Sequence, residues 1–354
     1  MVAMPREQNH PIRLGLIGCG GIVQKSHLQG LLDIPDLVNI SAIADPIPEN
    51  RNRVGTAADI ISEQRYEDHR HMLDRAELDA VIIATPHHLH AEHVIEAAQA
   101  GVAIISEKPM ATSLEEADQL LDAVKKHNVP YAIVHNFLYT PGTAEALRLL
   151  RRENTGIPQT GRALSLAGKT EDQADPNNVW RASKAAGGGC IGDTAYHEIY
   201  LVETMIGSPV RYVEARVQTK FFDFDVDDVA FLLFEHENGA ISTVSTSWGM
   251  PGGDQSICEV YTRTHAIRIV GRGRELRYLD KADRRWQPVD LDHGLSTDAL
   301  SRAGHANYFA ATLKALAEGN SPPITAEHAR HNLSIIHAAH QATAQRKAID
   351  VTEL

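Results

Sequence analysis

A chain of 354 residues can bury a large core and exceeds the usual size of one domain, so two domains with a cleft between them are expected. Its 34 basic and 46 acidic side chains leave a net charge of −12, and no run of Lys or Arg offsets it, which argues against a nucleic acid or an anionic membrane as partner. The chain has no stretch of about 18 apolar residues that could cross a membrane, and Met1 to Pro11 is too polar and too short for a signal peptide, so a cytoplasmic protein is expected.

Ile12 to Ile17 reads as a buried strand, followed by a helix through about Leu32 and a second strand over Val38 to Ala44. The same beat returns at Asp79 to Ala84, Val102 to Ser106 and Tyr131 to Val134, with amphipathic helices over Ala91 to Ala100 and Leu114 to His127 between them. Apolar strands separated by helices predict an α/β Rossmann domain, a doubly wound parallel sheet over residues 1–135. After Asn136 strand-like runs follow one another directly: Arg211 to Lys220, Asp228 to Glu235, Ala240 to Ser247, Ser256 to Thr262 and Ala266 to Val270. Glu237-Asn238-Gly239 is a hairpin signal between two of them. Residues 136–354 are therefore expected to form an α+β domain for substrate binding and oligomerisation, built on an open, mainly antiparallel sheet. Helices near Ser301 to Glu318 and Ala326 to Arg346 close the chain, and the last could pack back on the first domain. Cys19, Cys190 and Cys258 are odd in number and lack C-x-x-C spacing, against both a disulfide framework and a structural zinc site.

Gly18-Cys19-Gly20-Gly21-Ile22-Val23 joins the first strand to the first helix, where a dinucleotide fingerprint belongs. Glycines let the backbone turn tightly and approach a pyrophosphate, and the helix N-terminus adds amide donors. Val23 stands where glycine or alanine is usual and would crowd the helix slightly. Asp45 ends the second strand at the place of a carboxylate that accepts from the adenosine ribose, although beside Pro46 it also suits a plain turn. An acidic residue there favours NAD, while nearby Arg51 and Arg53 keep NADP open.

Further along stand Ala84-Thr85-Pro86, Glu107-Lys108-Pro109 and the run from Gly187 through Asp193 to His197. With these in order, the chain resembles the Gfo/Idh/MocA oxidoreductases, which include glucose-fructose oxidoreductase and inositol dehydrogenases. The resemblance runs from Ile12 to about Arg346. It implies NAD(P) at the carboxyl ends of the Rossmann strands, near Gly18, Gly20, Gly21, Ile22, Asp45, Thr85, Pro86, His90, Glu107, Lys108 and Asn136. It also aligns Lys108 with the family's lysine, Asp193 and His197 with its Asp-x-x-x-His pair, and Trp180-Arg181 with a segment over the substrate pocket. Three positions depart from the pattern: Ala195 replaces a frequent glycine, Tyr200 a frequent aspartate, and Phe137-Leu138 a common basic residue.

Oxidising a secondary alcohol needs a hydride acceptor at the carbon and a base on the hydroxyl. Lys108, at a strand end beside the expected nicotinamide, would bind or deprotonate that hydroxyl. Asp193 and His197 are spaced i, i+4 and share one face if the segment is helical; a histidine held by a carboxylate is oriented for proton transfer. Trp180 offers a face to a sugar ring and Arg181 a donor to its hydroxyls. His87, His88, His90 and His93 invite a zinc reading, but zinc needs a third ligand at matching geometry, so no metal is expected.

The leading expectation is a dehydrogenase or reductase of a sugar, cyclitol or related polyol. Redox-assisted glycoside cleavage and a non-catalytic NAD(P)-sensing regulator are the alternatives. Alternating apolar positions, as in Val229 to Phe234, leave a sheet face to be covered, so a homodimer or homotetramer is expected.

Overall fold

The computed structural model describes residues 10–175, 180–253, 255–291 and 297–354; the segment weighed above as a signal peptide lies, up to residue 9, outside them. The chain divides into two compact units, one formed by Met1–Asn136 and Ser301–Arg330, the other by Phe137–Leu300 and His331–Leu354.

In the first unit, strands β1 (Ile12–Ile17), β2 (Val38–Ala44), β3 (Arg65–Tyr66), β4 (Ala80–Ile83), β5 (Ala103–Ser106) and β6 (Tyr131–Ile133) form one sheet in the order β3-β2-β1-β4-β5-β6. All pairings in it are parallel. This is the doubly wound Rossmann order, which places ligand sites at the carboxyl ends of the strands. β4 is buried at every position, as a strand covered on both faces must be. The helix Leu114–His127 shows how local chemistry sets boundaries. Ser113 Oγ accepts the Glu116 amide at its start, three basic residues fill its last turn, and Asn128 ends it in the left-handed region.

Ser301–Arg330 groups with this first unit, a difference from an expected second domain over residues 136–354 of which the last helix could pack back on the first. Packing explains the difference. Tyr308 donates its hydroxyl proton to the Ile133 carbonyl at 2.6 Å, and Ala306 lies so close to Gly30 that a Cβ there would meet its amide nitrogen at 3.1 Å.

The second unit carries β7 (Thr160–Leu166), β8 (Val210–Gln218), β9 (Val229–His236), β10 (Ile241–Ser247), β11 (Gln255–Tyr261), β12 (His265–Val270), β13 (Glu275–Asp280), β14 (Gln287–Val289) and β15 (Ile349–Asp350). They form a nine-stranded sheet in the order β14-β13-β12-β11-β7-β10-β9-β8-β15. Only β7 and β10 pair in parallel among the described residues; the other pairings are antiparallel. The β9 to β10 hairpin turns at Gly239, φ +81°, with the Ala240 amide donating to Asn238 Oδ1.

Register puts Glu214, Leu233, Thr243, Arg162, Glu259, Arg268 and Arg277 in one row across the sheet. On that face Phe231, Leu233 and Ile241 are 52%, 41% and 51% exposed. The Glu259 carboxylate is fully buried between the guanidinium groups of Arg162 and Arg268 and accepts the Tyr261 hydroxyl at 2.7 Å. One face of this sheet is thus a mixture of exposed apolar side chains and satisfied charge.

Candidate functional site

The glycine loop follows β1 directly. Gly18 has φ +92°, and a Cβ on it would meet the Ala84 carbonyl oxygen at 2.7 Å, so position 18 admits only glycine. At Gly20 and Gly21 the situation is the reverse. A Cβ built on either meets nothing within 4 Å, and Ile22 beside them is exposed. A cradle open at these two glycines, at the carboxyl end of β1 and the start of a helical segment, fits a dinucleotide pyrophosphate. The helical segment opens with a π turn, Val23–His27, before continuing as Leu28–Leu32, and Val23 is fully buried within it.

Asp45 is buried, and its carboxylate accepts the Cys19 amide at 2.7 Å and the Ile47 amide at 2.8 Å. It therefore supports the glycine loop from behind and closes its own turn. Gln24 donates to the Cys19 carbonyl at 2.7 Å and to Asn50 at 3.1 Å, and accepts from exposed Arg53.

Thr85 and Pro86 follow β4, and Glu107 and Lys108 follow β5, all at carboxyl strand ends. His90 ties these two ends together, its Nδ1 2.6 Å from the Pro109 carbonyl and its Nε2 2.8 Å from the Thr85 carbonyl. Burial pushes its pKa down against the pull of both carbonyls. His93 Nδ1 meets Thr85 Oγ1 at 3.0 Å, and burial pushes His93 down to about 3. These histidines are engaged by the backbone and hydroxyl of the β4 end.

Glu107 accepts from His27 Nε2 at 2.8 Å, and His305 Nε2 lies 3.7 Å away. Burial would raise the Glu107 pKa, but its two imidazole neighbours hold it well below the usual carboxylate range. Burial also lowers His27, so a neutral imidazole donating Nε2–H leaves a bare Nδ1 lone pair, and Nδ1 has no partner among the described residues. Ligand-type atoms of His27, Glu107 and His305 lie within 4.8 Å of one another; the 2.8 Å contact is a hydrogen-bond length. Asn136 is buried and its Nδ2 is 3.5 Å from His305 Nδ1. Lys108 itself is 9% exposed.

In the second unit Asp193 lies in a π turn, Ile191–Ala195, that leads into the helix Tyr196–Ile206 bearing His197. Asp193 Oδ2 is 3.4 Å from Arg181 Nε, and the Arg181 guanidinium lies 4.1 Å from the centre of the Trp180 ring. The Gly187-Gly188-Gly189 run makes this arrangement by close packing. A Cβ on Gly188 would meet the Arg181 carbonyl oxygen at 2.1 Å, and the Gly189 amide donates to that same oxygen at 2.9 Å. Trp248, fully buried, donates to Thr194 Oγ1 at 2.8 Å, and the Lys169 ammonium lies 5.7 Å from its ring centre. Burial lowers the Lys169 pKa, with Asp193 opposing it.

A phenol meets the His197 imidazole. His197 Nδ1 is 2.9 Å from the Tyr200 hydroxyl, which also accepts the Phe137 amide at 3.3 Å. The Phe137 ring meets the imidazole edge-on at 4.7 Å. Arg272 lies 4.7 Å from the Phe137 ring centre and pairs with Glu198 at 3.3 Å. Its φ of +56° is uncommon for a residue with a side chain. Sequence reasoning missed Arg272, Lys169 and His27, and the only local signal for any of them is the Gly271-Arg272-Gly273 turn.

A glycine cradle on a doubly wound sheet, in a chain whose second unit carries a large open sheet, is the architecture of a dinucleotide-binding protein. The model of the "Oxidoreductase family, NAD-binding Rossmann fold" matches residues 12–135, and that of the "GFO/IDH/MocA C-terminal domain" matches residues 144–270. A levoglucosan dehydrogenase of Pseudarthrobacter phenanthrenivorans is 32% identical over 313 residues, 77% of this chain and 78% of the relative. The scyllo-inositol 2-dehydrogenase (NAD(+)) of Bacillus subtilis is 27% identical, covering 73% of this chain and 74% of its own. A solved structure of a levoglucosan dehydrogenase with NADH and levoglucosan superposes with a TM-score of 0.85 at 27% identity, covering 96% of this chain and 99% of that one. The chain belongs to the Gfo/Idh/MocA family and is an NAD-binding oxidoreductase. No helix among the described residues is long and apolar enough to cross a membrane.

Proposed function

We propose that this protein interconverts a secondary alcohol and a ketone on a sugar, cyclitol or related polyol, with NAD as the preferred cofactor. The observation that carries the reading is the Trp180, Arg181 and Asp193 arrangement, an aromatic face and a guanidinium beside an ion-paired carboxylate, which suits a polyhydroxylated ring. Relatives named for levoglucosan and scyllo-inositol support the same substrate class.

When bound, the nicotinamide takes up or returns the hydride of the carbinol carbon. Gly18, Gly20, Gly21 and Ile22 would hold the pyrophosphate, Asp45 the ribose, and Thr85, Pro86, His90, Glu107 and Asn136 the remaining cofactor wall. In oxidation the substrate's O–H and carbinol C–H bonds break: His197 Nε2 takes the hydroxyl proton, a bound NAD would supply the hydride acceptor, and a ketone remains. Lys108 binds the same oxygen and shares its proton, and Asp193 positions the site. Reduction reverses each transfer, with His197 returning the proton to the oxygen.

The experiment is a panel of sugars, inositols, sugar acids and glycosides with NAD and NADP, followed by the near-ultraviolet absorbance of reduced nicotinamide. Net accumulation with a free polyol is expected. Turnover of a glycoside without net reduction points instead to redox-assisted cleavage, and binding without turnover to a sensor.

We also propose that a second copy covers the open face around Phe231, Leu233 and Ile241, giving a dimer or tetramer. Covering an exposed Leu or Phe contributes about 1.5–3 kcal/mol. A sedimentation mass of one chain would contradict this.

A further inference from the structure

Two residues that depart from the family pattern, Phe137 and Tyr200, meet on His197. The Phe137 amide can only donate, so it takes one lone pair of the Tyr200 oxygen, and a second lone pair can accept Nδ1–H. We propose that Tyr200 is a positioning residue for His197: its hydroxyl oxygen accepts Nδ1–H, which leaves Nε2 free to take a proton in oxidation and, once protonated, to return it in reduction. The inference rests on the reading of His197 as the acid/base.

A carboxylate in this place could only accept. It would fix a proton on Nδ1 and add a negative charge favouring the imidazolium. The phenol oxygen accepts in the same place and adds no charge. Tyr200 is 2% exposed, and burial pushes its pKa well above the ordinary phenol value, so it stays neutral. The Phe137 amide and the edge-on contact with Tyr196, ring centres 6.1 Å apart, hold the phenol still. The charged groups around this helix start are Asp193 with Arg181, Lys169 near Asp193, and Arg272 paired with Glu198 across the Phe137 ring. A neutral orienter among them lets one imidazole serve oxidation and reduction without a large change of its proton affinity.

The test compares pH profiles of kcat in both directions for the wild type, Tyr200→Phe, Tyr200→Asp and His197→Ala, with NADH titration as the control for folding and cofactor binding. Tyr200→Phe should lower kcat roughly tenfold or more at unchanged KM and NADH affinity. Tyr200→Asp should recover part of kcat in the oxidation direction and move the acidic limb of oxidation up by about one pH unit. Profiles of both variants that superpose on the wild type, with His197→Ala inactive, would overturn the role of Tyr200 and leave that of His197. Full turnover in His197→Ala would overturn the reading beneath it. Should Tyr200→Asp fail to fold, imidazole nitrogen chemical shifts decide: a tautomer balance that changes between wild type and Tyr200→Phe supports the proposal, and an identical balance sinks it.

Discussion

In the first unit Gly18, Thr85, Glu107 and Lys108 all lie just past the carboxyl ends of parallel strands, so backbone geometry alone delivers them to one edge. In the second unit Asp193 and His197 lie on a π-to-α helical start and are fixed by side chains and amides from Arg181, Phe137 and Tyr200. A site of the first kind tolerates much change in side chains, the reacting Lys108 apart, provided its glycines remain. A site of the second kind depends on contacts between distant segments, and a single altered partner changes its chemistry.

The largest expected effect tests one reacting side chain of each kind. His197→Ala should lower turnover by about two orders of magnitude or more while NADH binding survives, and Lys108→Ala should behave likewise. Stopped-flow rates beside fluorescence titration of NADH check this. Near-full turnover in both variants would end the proposed assignment, and equal losses of binding and turnover would break the division between the two kinds of site.

Next in size is a pair of glycine substitutions that sharpens the comparison inside the first unit. Gly18→Ala forces a Cβ against the Ala84 carbonyl at a positive φ, and should cost about 1–3 kcal/mol of stability. Gly20→Val adds a Cβ with no atom of the described residues within 4 Å of it, so its Tm should stay near the wild type while NADH affinity falls by at least about tenfold. Thermal melts with and without NADH separate the two outcomes; a Gly20→Val protein that binds NADH normally would refute the cradle.

A last effect is a pH dependence carried by the first unit. Burial pushes His93 and His135 down to about 3 from an ordinary 6.5. The unfolded chain gains these protons below about pH 6.5 while the folded chain does not, so stability is full above that value and falls as pH drops toward 3. At pH 5 the loss is roughly 2 kcal/mol per histidine. Denaturation midpoints at pH 7 and pH 5 measure it, and His135→Gln should flatten the slope. A midpoint independent of pH would show that these imidazoles are not buried neutral.

Much of the fold was legible because strands such as Ala80–Ile83 are apolar at every position and helices such as Leu114–His127 carry their own caps. The central strand β7 was not. It contains Gly161 and Arg162, which look like a loop until Glu259 pairs the arginine and its backbone packs where a Cβ on Gly161 would sit, 2.9 Å from the Glu259 carbonyl oxygen. Strands β3 and β15, with two residues each, are too short to show a period. At the site, Lys108, Asp193 and His197 announced themselves through motif order. The Tyr200 contact to Phe137 joins residues 63 positions apart, and Arg272 stacks on that same ring, so no local pattern could reveal either. The position of Tyr200 was visible as a departure, but its meaning came only with the geometry.

The hydrogen bond from the Cys19 amide to buried Asp45, with Gln24 holding the Cys19 carbonyl, has a consequence for cofactor exchange. A free glycine-rich loop would lose about 1–2 kcal/mol of conformational entropy per residue on closing around a nucleotide. Here that ordering is completed during folding, so association need not wait for the loop, and more of the contact energy appears as affinity. Such a loop can release one dinucleotide and accept the next without rearranging.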